Sequence, residues 1–340
     1  MSPLPPTVVE QFAVAFKRTP AGDYGGLKTR GEAAHWLATE AFVAKSSAAW
    51  QAVQVLQWRV QRRACLRPTE PGDVVVLDTL YRVEEGTLPP LEQVAMSPKA
   101  FTEKLENDVM QFRVDGTQAI RAIASGKLSK AELRYFCFQF VPPAIDFTKQ
   151  IAFATMVLPR DVAGFAFENL YEEGGKGVPE NSHVKLLTRF LREFEIDLND
   201  DEAMLSWVPA DALASTNAQL RMLWHADPGW AMGSMFLMEK LLPLEHTPFR
   251  DGLLASGVSR EAMIFFDVHI EGEAHHAADW LKIAEQHLRT PAQQSVAYRA
   301  AMERGRWYKR CWEALWEGFC AWKETGSAPH LPAKELSTTA

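Results

Sequence analysis

Residues 265–281 read FFDVHIEGEAHHAADWL. Turned at 100° per residue, a helix through this stretch keeps His269, Glu273 and His276, at i, i+4 and i+7, within about 60° of one another. They share one stripe. Two imidazoles and a carboxylate converging from a single helix suit a metal of borderline hardness such as iron or manganese, although zinc accepts the same mixture. The competing reading is a solvated polar face, because histidine pairs are common on surface helices. The stripe therefore needs partners from elsewhere in the chain.

Upstream, Glu239 lies in MGSMFLMEKLL, residues 232–242, among Met235, Phe236, Leu237, Met238, Leu241 and Leu242. These neighbours belong in a core, where an unpaired carboxylate costs several kcal/mol unless it is protonated, ion-paired or metal-bound. Lys240 points elsewhere on the helix. Further upstream, ENLYEEGGKGVPENSHVKLLTRFL, residues 168–191, reads as a helix ending at Glu172 and Glu173, a GGKG turn, and a second, amphipathic helix opened by His183 behind Ser182. Such a turn can aim two helix ends at one site. Taken alone, the two acids are an ordinary charged helix terminus, and His183 a helix starter.

The order of these pieces resembles the heme-oxygenase-like diiron oxidase and oxygenase family. There a helix ending NL-x-x-E(E) precedes a turn, a helix-starting S/N-H, a mid-helix glutamate and H-x3-[DE]-x2-H. Here the matching residues are Asn169-Leu170-Tyr171-Glu172-Glu173, Ser182-His183, Glu239, and His269, Glu273 and His276, across residues 100–290. The resemblance implies an all-α, heme-oxygenase-like helical bundle in which Glu173, His183, Glu239, His269, Glu273 and His276 bind two iron ions. Counting from Asn169 selects Glu173 over Glu172, and Glu273 departs from the aspartate more usual at its position. Some nitrogen-oxidising relatives add a carboxylate from the preceding helix, for which Asp146 is the nearest acid and a candidate seventh ligand.

The same resemblance implies O2 as co-substrate, an external reductant as electron donor, and a small-molecule substrate. Members of the family oxygenate amine nitrogens, cleave C–C bonds of amino acids, or decarboxylate fatty acids. N-oxygenation of an amino acid or other small amine is the favoured expectation, on account of Asp146. Oxidative C–C cleavage, decarboxylation or desaturation of an amino acid or aliphatic acid comes second, and a metal-binding bundle without turnover third. Phe165, Phe167, Phe236, Phe265 and Phe266 are the expected apolar lining. Heme oxygenase itself holds heme through a histidine on an early helix, where His35 in EAAHWLATEAF fits a core edge better. The related thiaminase II enzymes need a nucleophile such as Cys137, which would leave the three histidines and three glutamates unexplained.

The wider chain agrees with a globular enzyme. With 340 residues, 47% of them hydrophobic, it can bury a sizeable core, and a net charge of -7 offers no stripe for a polyanion such as nucleic acid. Cys65, Cys137, Cys311 and Cys320 form no CxxC pair, and free thiols in a cytoplasmic protein are expected. No apolar run approaches the roughly 20 residues a membrane helix needs.

The expected organisation is an N-terminal elaboration over residues 1–97, a helical domain over 98–326 and a flexible tail over 327–340. Prolines and the Gly25-Gly26 pair make residues 1–28 an arm, and the stretch from Gly31 to Arg63 carries helical spacing. The β-prone VVVLDTLYRV, between prolines in residues 67–97, is expected to form a hairpin or extended loop. Seven or more helices should follow residue 98. Ser129 and Thr290 open capping boxes, Asp227 and Ser259 are N-caps, Gly326 is a C-cap, and Pro142-Pro143 should split a helix. The aromatic last helix would permit a homodimer.

Overall fold

The computed structural model describes residues 24–66 and 70–326. The expected tail and most of the expected arm lie outside these residues. The described chain divides into two compact units, passing from one to the other between Pro90 and Leu91. Among the described residues there is no β-strand.

In the first unit, α1 (Tyr24–Ala38) runs into a π-helical turn (Thr39–Val43), followed by α2 (Ser47–Leu66) and α3 (Pro71–Gly86). Helix α3 overturns the expected hairpin. Pro71 occupies the first turn, where its missing N–H is not needed, and the fixed φ of its ring favours a helical start. Val76, Leu77, Leu80 and Glu84 then fall on one buried face at helical spacing, while Val74 is exposed. Burial of that face prevails over the β-preference of the valines. Arg63 of α2 pairs with Asp73 of α3 at 2.8 Å, and Gln61 donates to the Tyr81 hydroxyl at 2.6 Å.

The second unit contains α4 (Pro98–Val109), α5 (Gln118–Ala124), α6 (Lys130–Cys137), α7 (Val141–Ala144), α8 (Phe147–Val157) and α9 (Ala163–Glu173). After these come α10 (His183–Arg192), α11 (Asp201–Trp207), α12 (Ala210–Leu223), α13 (Pro228–Ala255), α14 (Ile264–His287) and α15 (Pro291–Thr325). Both capping boxes form, Asp227 caps α13, and Gly326 ends α15 at φ 69°. Ser259 caps a turn ahead of α14 rather than the helix itself, accepting from the Ala262 N–H. The Pro142-Pro143 pair splits its helix as expected, with a 3-10 turn at Phe138–Phe140 and the single turn α7 before α8 begins.

The centre of this unit is built by α12, α13, α14 and α15, with α13 packed along both α14 and α15. Gly233 permits that closeness, because a Cβ there would strike the backbone of Ala297 on α15. Phe140, Phe190, Phe249, Phe265 and Phe266 form a cluster of edge-to-face and stacked pairs that joins α13, α14 and α10. The aromatic residues of α15 turn inward: Trp312 is buried and Trp322 stacks on Tyr135 at 5.7 Å. No large hydrophobic residue of α15 is exposed, so the helix lacks the exposed apolar face that its sequence suggests.

Candidate metal centre

Helix α9 ends on Glu173, and the GGKG turn reverses the chain so that α10 starts beside it with His183. Gly175 sits at φ 90°, and a Cβ there would collide with the Val178 carbonyl, so the reversal needs glycine. Glu173 Oε2 lies 2.9 Å from His183 Nδ1, which is itself 2.9 Å from His269 Nε2 on α14. The third edge, Glu173 Oε2 to His269 Nε2, is 3.8 Å. Ligands about 2.1 Å from a shared metal stand at similar separations.

A second group lies beside the first. Glu173, Glu273 and His276 each offer one ligand atom within 4.8 Å of the others, as Glu173, His183 and His269 also do. Glu173 belongs to both groups. Glu239 reaches the second group from α13, with Oε2 3.5 Å from His276 Nδ1, the same distance that separates this nitrogen from Glu273 Oε2. The structure thus brings together Glu173, His183, Glu239, His269, Glu273 and His276. Asp146 stands at the start of α8 with its carboxylate 2.9 Å from Lys149 Nζ. Asp146 joins neither group.

Hydrogen bonds fix which atoms face the centre. His269 Nδ1 donates to the Phe265 carbonyl, which leaves Nε2 as the free lone pair. His276 turns the other way, with Nε2 3.0 Å from Glu172 Oε2 and Nδ1 toward Glu239 and Glu273. Glu172 in turn takes Lys176 Nζ at 2.8 Å. Asn169 Nδ2 donates to Glu239 Oε1 at 3.1 Å, which holds that carboxylate from the same helix as Glu173. Glu172 and Glu173 therefore divide the work, one gripping the back of a histidine and the other facing the centre.

The electrostatics call for a cation. Glu239 and Glu273 are both 0% exposed. Among the described residues, both oxygens of Glu273, Glu239 Oε2 and His276 Nδ1 have no hydrogen-bond partner. Unpaired carboxylates so placed are costly, and a bound metal supplies the missing partner. Without metal the histidines do part of that work. Burial opposes charging His276, but Glu239 prevails and pushes it up to about 9. Burial likewise opposes ionisation of Glu173, yet His183 and His269 hold its carboxyl far below the usual range. Orphaned carboxylate oxygens, free imidazole lone pairs and an N/O donor set fit iron.

The six-residue group separates two spaces. An outer cleft of 570 Å³ is lined by Glu172, Lys176, Asn181, Val268 and His275 over a floor of His183, His269, Glu273 and His276. Beneath it lies an inner cavity of 70 Å³, by a measure on which one water takes roughly 10–15 Å³. Its wall carries Phe140, Phe147, Phe265, Met238 and Leu242 beside Glu245, His246 and Arg304. Of the five expected lining phenylalanines, Phe265 alone borders the cavity. Phe167 is 57% exposed, while Phe236 and Phe266 pack in the core.

The inner polar group gives little sign of itself in the sequence. Glu245 and His246 stand six and seven residues beyond Glu239 on the same apolar helix, and that spacing is the signal they carried. Two alternatives lose ground. His35 is exposed, and Cys137 is fully buried, which pushes its thiol well above the usual range. All four cysteines are free.

Residues 134–308, just over half of the chain, match the family described as iron-containing redox enzyme. The chain belongs to that family, and is an oxidoreductase by that membership. Its fold is heme-oxygenase-like. A domain of unknown function with a heme oxygenase-like fold from Shewanella denitrificans OS217 matches 69% of this chain and 98% of its own, at 14% identity and a TM-score of 0.54. A CADD-like protein of unknown function from Nostoc punctiforme PCC 73102 matches 64% of this chain and 98% of its own, at 16% identity and a TM-score of 0.52. No curated protein matches the chain. No helix among the described residues is long and apolar enough to cross a membrane.

Proposed function

We propose that the chain is a diiron oxygenase or oxidase that uses O2 on a small-molecule substrate. The observation that carries this is the sharing of Glu173 by two three-residue ligand groups, since a carboxylate common to both can bridge two metals. His183 and His269 would complete one side, and Glu239, Glu273 and His276 the other. Two irons bound there would supply electrons to O2, replenished by an external reductant. The protein's part is to hold six ligands in place, with Phe265, Glu172 and Asn169 aiming them, and to keep water from the inner side with an aromatic wall.

For the transformation we favour N-oxygenation of an amino acid or other small amine. Asp146 pairs with Lys149 and belongs to neither ligand group, so this reading does not lean on that carboxylate. What supports it is the polar end of the inner cavity, where Glu245 is an acceptor for an ammonium group. Oxidative C–C cleavage, decarboxylation or desaturation of an aliphatic acid is the second reading, favoured by the apolar part of the same wall. Iron analysis of the reconstituted protein tests the centre: close to two irons per chain are expected, with fewer in Glu239→Ala and His276→Ala. Full occupancy in both variants would remove the assignment. Oxygen uptake by the ferrous protein then separates an enzyme from a passive metal binder.

A further inference from the structure

Arg304 is a buried cation that the metal centre does not use. It projects from α15 into the inner cavity and is 2% exposed. Its Nη1 donates to Ser215 Oγ at 2.6 Å and its Nη2 to Gln219 Oε1 at 2.8 Å, while its Nε–H has no partner. Both partners are neutral, and among the described residues no acidic side chain forms an ion pair with it. Burial lowers the guanidinium to about 10, which leaves it charged at neutral pH.

The acid whose charge acts on Arg304 is Glu245, which lines the same cavity. It spends Oε2 on the Tyr308 hydroxyl at 2.5 Å and the Trp312 indole N–H at 2.8 Å. Burial pushes its carboxyl up to about 7, so it balances Arg304 only in part. A buried guanidinium with neutral partners and a spare N–H is a receptor for an anion, most of all a planar carboxylate. The same cavity is lined by His183, His269 and Glu273, so a molecule held at Arg304 borders the candidate metal centre.

We propose that Arg304, steadied by Ser215 and Gln219, binds the carboxylate of the substrate in the inner cavity, so that the substrate class is a small organic acid or amino acid. This rests on the reading of the chain as an enzyme whose centre borders that cavity. Its test is calorimetric titration of the full-length, anaerobic ferrous protein with propionate and with the isosteric neutral propionamide, repeated on metal-free protein. Wild type should bind propionate about tenfold or more tightly than propionamide in both forms, a difference near 1.4 kcal/mol. Arg304→Gln should abolish that preference while its iron content stays at the wild-type level.

Gln219→Glu places a carboxylate beside the guanidinium and should abolish the preference as well, so a poorly folding Arg304→Gln does not end the test. Equal binding of the two probes by wild type overturns the proposal. So does a preference that survives in either variant. A preference for propionate in a chain that binds no iron upholds the anion site and overturns the diiron reading alone.

Discussion

Two buried clusters a few residues apart on α13 treat their carboxylates in opposite ways. Glu245 is held by protein donors, taking Tyr308 and Trp312 on one oxygen. Glu273 has no donor on either oxygen, and Glu239 has only Asn169 on one. Donors on Oε2 fix Glu245 within the fold and leave Oε1 open, whereas both oxygens of Glu273 call for a partner that the chain does not supply. Burial alone does not distinguish the two, since all three acids are buried. The distinction lies in the donors.

The largest expected effect follows from the open cluster. Metal at about a thousand times its dissociation constant should raise wild-type stability by roughly 4 kcal/mol, and a chelator should remove the gain. Glu239→Ala and His276→Ala should lose most of it. Thermal melts with and without ferrous iron read this directly, and an equal rise in wild type and both variants would erase the contrast. In metal-free protein Glu273→Gln should be neutral or mildly stabilising, because it discharges a buried carboxylate that no hydrogen bond satisfies and whose ion-pair contact, to His276, is 3.5 Å long.

The closed cluster should answer with the opposite sign. Glu245→Ala leaves the Tyr308 hydroxyl and the Trp312 N–H without acceptors, and should cost about 1–3 kcal/mol in urea unfolding of the metal-free protein. The same carboxyl sets a pH dependence. Its folded value is raised from 4.5 to about 7, chiefly by burial, so the folded state holds the proton more tightly than the unfolded chain. The stabilisation is full below 4.5 and is lost as pH rises through about 7. Glu245→Gln should flatten the stability profile across that interval. An unchanged profile would mean that Glu245 does not differ from an exposed acid.

Much of this contrast is legible in the sequence. Glu239 stood out as an acid among core residues, and the stripe on α14 followed from spacing alone. The capping boxes at Ser129 and Thr290 were readable because they depend on neighbours three residues away. What escaped is what depends on distant neighbours. Helix α3 looked like a strand because its valines carry a β-preference and its Pro-Gly start resembles a turn. Arg304 gave no sign in a segment with many charges, because its neutral partners come from α12. Glu172 and Glu173 were separable only by counting, and their two roles became visible from the orientation of the His276 ring.

That orientation gives the next effect. Glu172 holds His276 from the side away from the centre, as carboxylates commonly do behind metal-bound histidines. Glu172→Gln should weaken iron binding by about 10–100-fold without abolishing it, and competition with a calibrated chelator measures the change. A loss as complete as that of His276→Ala would make Glu172 a ligand itself. No loss would make its contact with the ring incidental.

The smallest effect is expected at Asp146, where two assignments compete for one carboxylate. A seventh ligand would have to turn toward the shared ligand groups, yet its carboxylate is 2.9 Å from Lys149 Nζ, three residues along α8, and it lies in neither group. The lysine is 44% exposed and the aspartate 9%, which makes this a half-open pair worth at most about 1 kcal/mol. Asp146→Asn should therefore leave iron content at the wild-type level and shift the melting temperature slightly. An iron content that falls with Asp146→Asn would restore the carboxylate to the centre, and with it the structural argument for nitrogen oxidation. Retention of iron would leave the choice between nitrogen and carbon oxidation to the groups that line the inner cavity, with Glu245 on the side of an amine and the phenylalanines on the side of an aliphatic acid.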